Sequence, residues 1–279
     1  MNINQKISIS IFLIILLLVL ASSGLFTLGA LGVFAQNTDS PKTVPRRTVL
    51  VELFVQGGCT TCPTAEFCLE DLAWEYGTSK FILVEEHLWG DGYDTPETNA
   101  RYDWYVGDGT RGTPDVFIDG LTKRFQGLSC DCVEGNYECY KDAIDEELTR
   151  PSLLEISAVK TSHPNPLSQG ESEEEEKVAN IIIEGSVKNS SDTPLKDLAV
   201  CGMVGKESDE PGLYSYIQDI FPFQNMPPLL PGAVFNFQFV PEILLTPESE
   251  ADDEKEVLHL VIFVQNTITK EILQALYIE

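Results

Sequence analysis

The chain has 279 residues, with 18 Lys and Arg against 44 Asp and Glu, for a formal net charge of −26. Residues 36–150 carry 10 basic against 22 acidic side chains and residues 151–279 carry 7 against 22, so both halves repel polyanions. Nucleic-acid binding, which draws most of its affinity from neutralised phosphates, is disfavoured, and the acidity reads as a solvated surface suited to a salty or extracellular setting.

From Ile7 to Ala35 there are 29 residues without a charge, and Lys6 is the only positive residue before them. The stretch exceeds the ~7–15 residue core of a signal peptide and is long enough for a span of ~20 residues. Val33-Phe34-Ala35 also satisfies the small-residue rule for signal cleavage. Residues 1–35 are therefore read as a signal peptide or a retained membrane anchor, and both readings put Gln36 onward outside the cytoplasm. Disulfides persist there, so the seven cysteines can serve as staples or as redox groups. No Cys precedes residue 59, which excludes a lipid-modified N-terminal cysteine. The remaining length, about 240 residues, suits two domains of about 115–130 residues.

Residues 36–47 form a polar linker with two prolines. "TVLVELFV" (48–55) is an apolar, β-rich run of strand length, broken by Gly57-Gly58. From Cys59 onward, Ala65, Cys68, Leu69, Leu72 and Tyr76 fall at helical spacing, and Gly77 is a stop signal. "KFILVEEHLW" (80–89) predicts a second strand, and the insertion after it is expected to be part helical from Pro96 to Tyr105. In "GTPDVFIDGLTKRFQG" (112–127), Asp119-Gly120 between two extended runs is a hairpin signal. A last helix is predicted over Tyr137 to Leu148.

Past Arg150-Pro151 the pattern changes to seven short apolar or alternating runs divided by Pro, Gly and acidic clusters, which predicts an antiparallel sandwich over residues 151–279. "ESEEEEK" (171–177) and "ESEADDEKE" (248–256) read as solvated loops. Clustered carboxylates also suit calcium, but no ligand spacing is defined.

The sharpest motif is Cys59-Thr60-Thr61-Cys62, in front of Pro63. A two-residue gap between cysteines is a weak signal alone, and its context strengthens it. Strand, glycine turn and helix set Cys59 at a helix N-terminus, where unsatisfied N–H groups and the helix dipole favour a thiolate. Cys62 follows within the first turn, close enough to pair with it. Two other readings stay open: a static structural disulfide, or zinc held by Cys59, Cys62, Cys130 and Cys132. The spacing Cys130-x-Cys132 is narrow for a structural zinc site.

With "LVELF" before "CTTCP" and "GTPDVFIDG" after it, the chain resembles the thioredoxin-like superfamily over roughly residues 48–150. Together with His87-x-Trp89, the motifs are similar to those of exported thioredoxin-like proteins, some of which carry a C-terminal immunoglobulin-like domain. The resemblance implies an α/β thioredoxin-like domain (48–150) followed by an all-β immunoglobulin-like sandwich (151–279), behind an N-terminal hydrophobic helix. It further implies that Cys59 attacks a substrate disulfide and Cys62 resolves the mixed disulfide. Pro114 would be cis and pack against the pair, Thr113 would offer backbone groups to a bound peptide, and Glu52 would be the buried carboxylate that relays a proton to the resolving thiol. Gly58 stands where the family commonly has Trp. No cofactor or metal is expected.

Cys201, in "LAVCGMV", is expected to be a buried small hydrophobe. Cys68, Cys130, Cys132 and Cys139 allow three pairings. Cys130 and Cys132 would close a strained ring, so one of them is expected to meet Cys139 and the other Cys68, with a reduced Cys68 in the core as the alternative. His87 is a structural histidine or a group that tunes the thiolate from the end of a strand. The expected function is an extracytoplasmic thiol–disulfide oxidoreductase acting on protein thiols and disulfides, with a membrane redox partner. The competing reading is a binding module with a static disulfide whose partner is held by the sandwich.

Overall fold

Residues 49–55 are apolar at every position but Glu52, and all seven are buried, so the strand β1 (Val49–Val55) is covered on both faces and is an interior strand of its sheet. The computed structural model describes residues 45–127, 133–163, 178–207, 215–244 and 258–278. In it β1 runs parallel to β2 (Phe81–His87) and antiparallel to β3 (Asp115–Ile118), which turns into β4 (Lys123–Gln126). A parallel pair needs a crossover, here the helix α1 (Cys62–Tyr76), ended by Gly77 at φ 71°. The helix α2 (Pro96–Val106) starts at a Thr95/Thr98 capping box, and α3 (Val133–Leu148) follows β4.

Alternation along β1 decides what each face meets. Val49, Val51, Leu53 and Val55 pack with Phe81 under Ala65, Leu69 and Leu72 of α1 and Tyr140 and Ile144 of α3. Phe54 points the other way, to Leu88, Tyr102, Tyr105 and Phe117 around α2, and Leu50 packs with Ile82 and Val84 against the C-terminal strands.

Those strands are β5 (Leu154–His163), β6 (Val178–Asn189), β7 (Leu198–Glu207), β8 (Ser215–Ile220), β9 (Gln224–Asn225), β10 (Val234–Phe239), β11 (Glu242–Leu244), β12 (Leu258–Asn266) and β13 (Ile272–Ile278). Strands β5, β6, β10 and β11 make a small antiparallel sheet. The others join the first strands in one mixed nine-stranded sheet, ordered β13-β12-β7-β8-β2-β1-β3-β4, with β9 on β7. β8 pairs in parallel with β2 at Glu85 and Tyr216, and β7, β12 and β13 continue antiparallel.

This sheet corrects the expected fold class. The chain does not form an α/β thioredoxin-like domain followed by a separate all-β immunoglobulin-like sandwich: it is mostly β, and strands from both halves share one sheet. The physical reason is visible in β7 and β12. Val200, Val204, Ile262 and Val264 face the small sheet, while Cys201, Met203, Val261 and Phe263 on the opposite face pack with Leu50, Ile82 and Val84. Strands apolar on both faces need cover on both, and the β1–β2 layer supplies the second cover. The sheet's far ends also meet. Gly120, at φ 68°, bridges Glu271, and a Cβ there would lie 2.0 Å from the Lys270 carbonyl oxygen. The expected N-terminal helix, the acidic runs 171–177 and 248–256, and Cys130 and Cys132 lie outside the described residues.

Candidate functional site

At the end of β1 the chain makes a tight turn. Cys59 N–H donates to the Gln56 carbonyl at 3.1 Å, and Gly58 takes φ 81°, which favours glycine at the third position of such a turn. Cys59 and Cys62 are joined as a disulfide with Cα atoms 5.5 Å apart. α1 begins at Cys62, with Pro63 in its first turn, where a missing N–H costs nothing. The Cys62 N–H donates to Cys59 Sγ at 3.1 Å, so a helix-start amide is aimed at the outer sulfur. Cys62 is buried, whereas Cys59 is half-buried between exposed Gly58 and Thr60. Of the two residues, Cys59 is the more exposed.

Behind the turn lies a chain of buried polar groups that follows from strand alternation in β2. Glu85 and His87 share the face of Phe81 and Leu83, toward α1. His87 Nε2 meets Glu85 Oε1 at 3.1 Å and His87 Nδ1 meets Asp91 Oδ2 at 2.6 Å. The same Asp91 oxygen accepts the Gly57 N–H at 2.9 Å, and Asp91 Oδ1 accepts the Tyr93 N–H. The rings of Tyr93 and Tyr216 lie 5.2 and 6.1 Å from the imidazole. Burial works to lower the pKa of His87, but its hydrogen bonds to Glu85 and Asp91 outweigh that and raise it. Burial pushes the Glu85 carboxyl up, against the hydrogen bond from His87. On α1, Glu66 is pushed up to about 7 by burial and by the charges of Glu85 and Glu70.

Thr113-Pro114 is a cis peptide, as the resemblance implies. The register Phe54↔Asp115 sets Pro114 one step past the last pair, beside the end of β1 that leads into the cysteine turn. Pro114 is buried and Thr113 half-buried. Glu52 is not brought to the cysteines. It lies on the opposite face of β1 from Leu53 and Val55, where it accepts from Arg101 Nε and, at 2.5 Å, from Tyr105 Oη. Gln265 of β12 joins by donating to Tyr105 Oη at 2.7 Å, and Glu86 sits with Oε1 3.8 Å from Arg101 Nε. Glu86 is fully buried, neither of its carboxyl oxygens has a hydrogen-bond partner among the described residues, and burial and Glu52 push its carboxyl well above the usual range.

Cys68 is a buried thiol, pushed upward by burial and by Asp71, so the alternative of a reduced Cys68 in the core is the one found. Cys139 is disulfide-bonded. Cys201 donates to the Phe221 carbonyl at 3.3 Å, and burial pushes it up to about 12. Among the described residues no group of three or more His, Cys, Asp or Glu side chains is arranged to hold a metal. A cavity of about 290 Å³ opens at the other end of α1, lined mainly by Phe81, Leu83, Ile217 and Val261, with Trp74 and Tyr277.

Reasoning from sequence singled out Cys59, Cys62, Thr113, Pro114 and His87 but missed Asp91, Glu85 and Glu66. The available signal was the i,i+4 spacing of His87 and Asp91 in a glycine-rich loop.

No protein-family model and no curated protein matches the sequence. Among solved structures, HBP35 of Porphyromonas gingivalis superposes with a TM-score of 0.59 at 16% identity, over 83% of this chain and 74% of that one, a likeness of fold alone. β-Glucuronidase of Bacteroides uniformis aligns at a TM-score of 0.30 and 18% identity over 44% of this chain and 12% of its own. A β-D-glucoside glucohydrolase from Trichoderma reesei aligns at 0.23 and 12% identity over 50% and 22%. These two scores are too low to bear on fold or activity.

Proposed function

We propose that the protein is an extracytoplasmic thiol–disulfide oxidoreductase that acts on protein thiols and disulfides through Cys59 and Cys62. The observation that carries this reading is the disulfide across a helix start, with Cys59, the more exposed residue, facing the Cys62 N–H through its sulfur and Cys62 buried. The two motifs that resemble the thioredoxin-like superfamily, the Cys pair and the cis Thr113-Pro114, meet at the same end of β1.

In the oxidised state seen here, a client thiolate attacks Cys59 Sγ. The Cys59–Cys62 bond breaks, a mixed disulfide forms at Cys59, and Cys62 leaves as a thiolate that takes up a proton. A second client thiolate then attacks the client sulfur of the mixed disulfide and expels Cys59, whose thiolate the Cys62 N–H receives. The client loses two electrons and gains a disulfide; the protein gains two electrons as a dithiol. The reverse sequence reduces a client disulfide and needs an external dithiol to reset the pair. The N-terminal apolar segment would hold the site at, or release it from, a membrane carrying such a redox partner.

The test is equilibration of the full chain in glutathione buffers of graded ratio, with mass spectrometry mapping which cysteines interconvert. Interconversion of Cys59 and Cys62 at a defined potential supports the reading. A pair that stays locked where ordinary exposed disulfides are reduced overturns it. In that case the second reading applies, a binding module with a static disulfide, and the apolar cavity beside Trp74 is the feature that favours it.

A further inference from the structure

The buried set behind the cysteine turn is one hydrogen-bonded chain: Gly57 N–H to Asp91, Asp91 to His87, and His87 to Glu85. The side chains of Asp91 and Glu85 are 3% and 2% exposed, so the two contacts to His87 are largely shielded from water, whereas the Gly57–Asp91 bond lies at the surface. Asp91 packs closely on the turn: a Cβ on Gly57 would fall 3.0 Å from Asp91 Cβ. A neutral imidazole donates through one nitrogen only, whereas the imidazolium donates through both. While Glu85 and Asp91 are both ionised, the ring can donate to both only when it is charged.

We propose that His87 is a positioning residue for Cys59: as an imidazolium it fixes Asp91 on the Gly57 amide and so holds the turn that carries the outer sulfur, and on losing its proton it releases that turn. The inference rests on the oxidoreductase reading. The groups facing the ring are Glu85 on β2, Asp91 and Tyr93 in the following loop, Glu66 on α1 and Tyr216 on β8. The net rise in the pKa of His87 gives the sign. While its carboxylates are ionised the clamp holds below that pKa, and it is lost as pH rises through it. Glu66 faces the same ring and is pushed up to about 7, so its titration is separated from that of His87 by its own variant.

The experiment is the equilibrium of the full chain with glutathione as a function of pH, in which two glutathione thiols and the Cys59–Cys62 disulfide exchange for one oxidised glutathione and two protein thiols. Wild type, His87→Gln, Asp91→Asn and Glu66→Gln are compared. The expected result is a wild-type profile with a break at the pH where His87 titrates. Both His87→Gln and Asp91→Asn should remove the break and shift the constant below it by about tenfold, which is about 30 mV for two electrons, while Glu66→Gln keeps the break. The NMR shift of the Gly57 amide in the unmodified protein should titrate with the His87 ring, a readout that needs no variant. Profiles of His87→Gln and Asp91→Asn that superimpose on a wild type whose pair exchanges would overturn the positioning role and leave the oxidoreductase reading standing. A wild-type pair that does not exchange removes both.

Discussion

Replacing Arg101 with Met tests how the two halves of the sheet are joined. Arg101 reaches from α2 to Glu52 on β1, to Glu86 on β2 and to Gln265 on β12, and its guanidinium lies 4.9 Å from the ring centres of Tyr105 and Phe263. Met keeps much of the apolar stem and removes the charge. Glu52 and Glu86 are both fully buried, and removing one partner of a buried ion pair costs about 3–5 kcal/mol. Against a total stability of about 5–15 kcal/mol, that is a large fraction. The loss also has a predictable pH dependence. Burial and Glu52 push the Glu86 carboxyl up, and Arg101 opposes the rise, so without Arg101 the folded state keeps its proton to higher pH. The unfolded chain ionises the same group near ~4. A fold that binds more protons than its unfolded chain loses stability as pH rises, so the deficit should be smaller at pH about 4.5 than at pH about 7.5. Urea unfolding of the full, detergent-solubilised chain, followed by tryptophan fluorescence with its disulfides intact, reads both points. Adding Glu86→Gln to Arg101→Met should recover about 1–2 kcal/mol at the higher pH, because one ionisable group is gone. A deficit below about 1 kcal/mol, or one equal at both pH values, would refute the account of Arg101 as the counter-charge of the junction.

Four further outcomes are expected. Cys62→Ser should accumulate a mixed disulfide at Cys59 on non-reducing gels, and Cys59→Ser should abolish exchange; loss in both without a trapped species counts against the assignment of the outer sulfur. Cys68 and Cys201 should resist alkylation by iodoacetamide in the folded chain and react once it is unfolded, since burial raises both thiols; rapid labelling of either in native buffer contradicts their placement. Gly120→Ala, with φ 68° and a new Cβ 2.0 Å from the Lys270 oxygen, should lower stability by about 2–4 kcal/mol in a thermal melt. A change under about 0.5 kcal/mol would mean that β13 and the β3–β4 turn do not meet so closely. Glu66, pushed up to about 7 by burial, holds its proton longer in the fold than unfolded, so its contribution is present at low pH and lost as pH rises through about 7. Stability of Glu66→Gln should therefore vary less between pH about 5 and 8 than that of the wild type.

The elements around the cysteines were legible because each is written in local chemistry. Gly57-Gly58 can only be a turn between an apolar strand and a helix, Gly77 stops α1, and Asp119-Gly120 turns the hairpin. The fold class was not legible, because strand partners are chosen at long range. The runs "LAVCGMV" and "LVIFV" look like sandwich strands, yet their lack of alternation was a sign that both faces are covered. Nothing local says that the second cover is β1 and β2. Glu52 shows the same limit on a smaller scale. The resemblance to the thioredoxin-like superfamily implied a proton relay at Glu52, but side chains alternate along a strand. Leu53 and Val55 take the helix face, and Glu52 turns away to Arg101.

The shared sheet gives the C-terminal strands a part in the site. Tyr216 comes from β8, whose pairing with Glu85 extends the sheet past β2, and its ring packs on His87 and Tyr93. Gln265 comes from β12 and bonds Tyr105 Oη beneath β1. Thus both polar clusters that flank the strand leading into the cysteine turn, one on each face, are closed by residues more than 120 positions away in the chain. A Cys-x-x-Cys loop needs only a strand and a helix to form, but a turn held by a buried histidine needs walls that exclude water. Here β8 brings the last of those walls, so changes in the C-terminal strands should reach the cysteine pair through Tyr216 and His87 before they reach it through global unfolding.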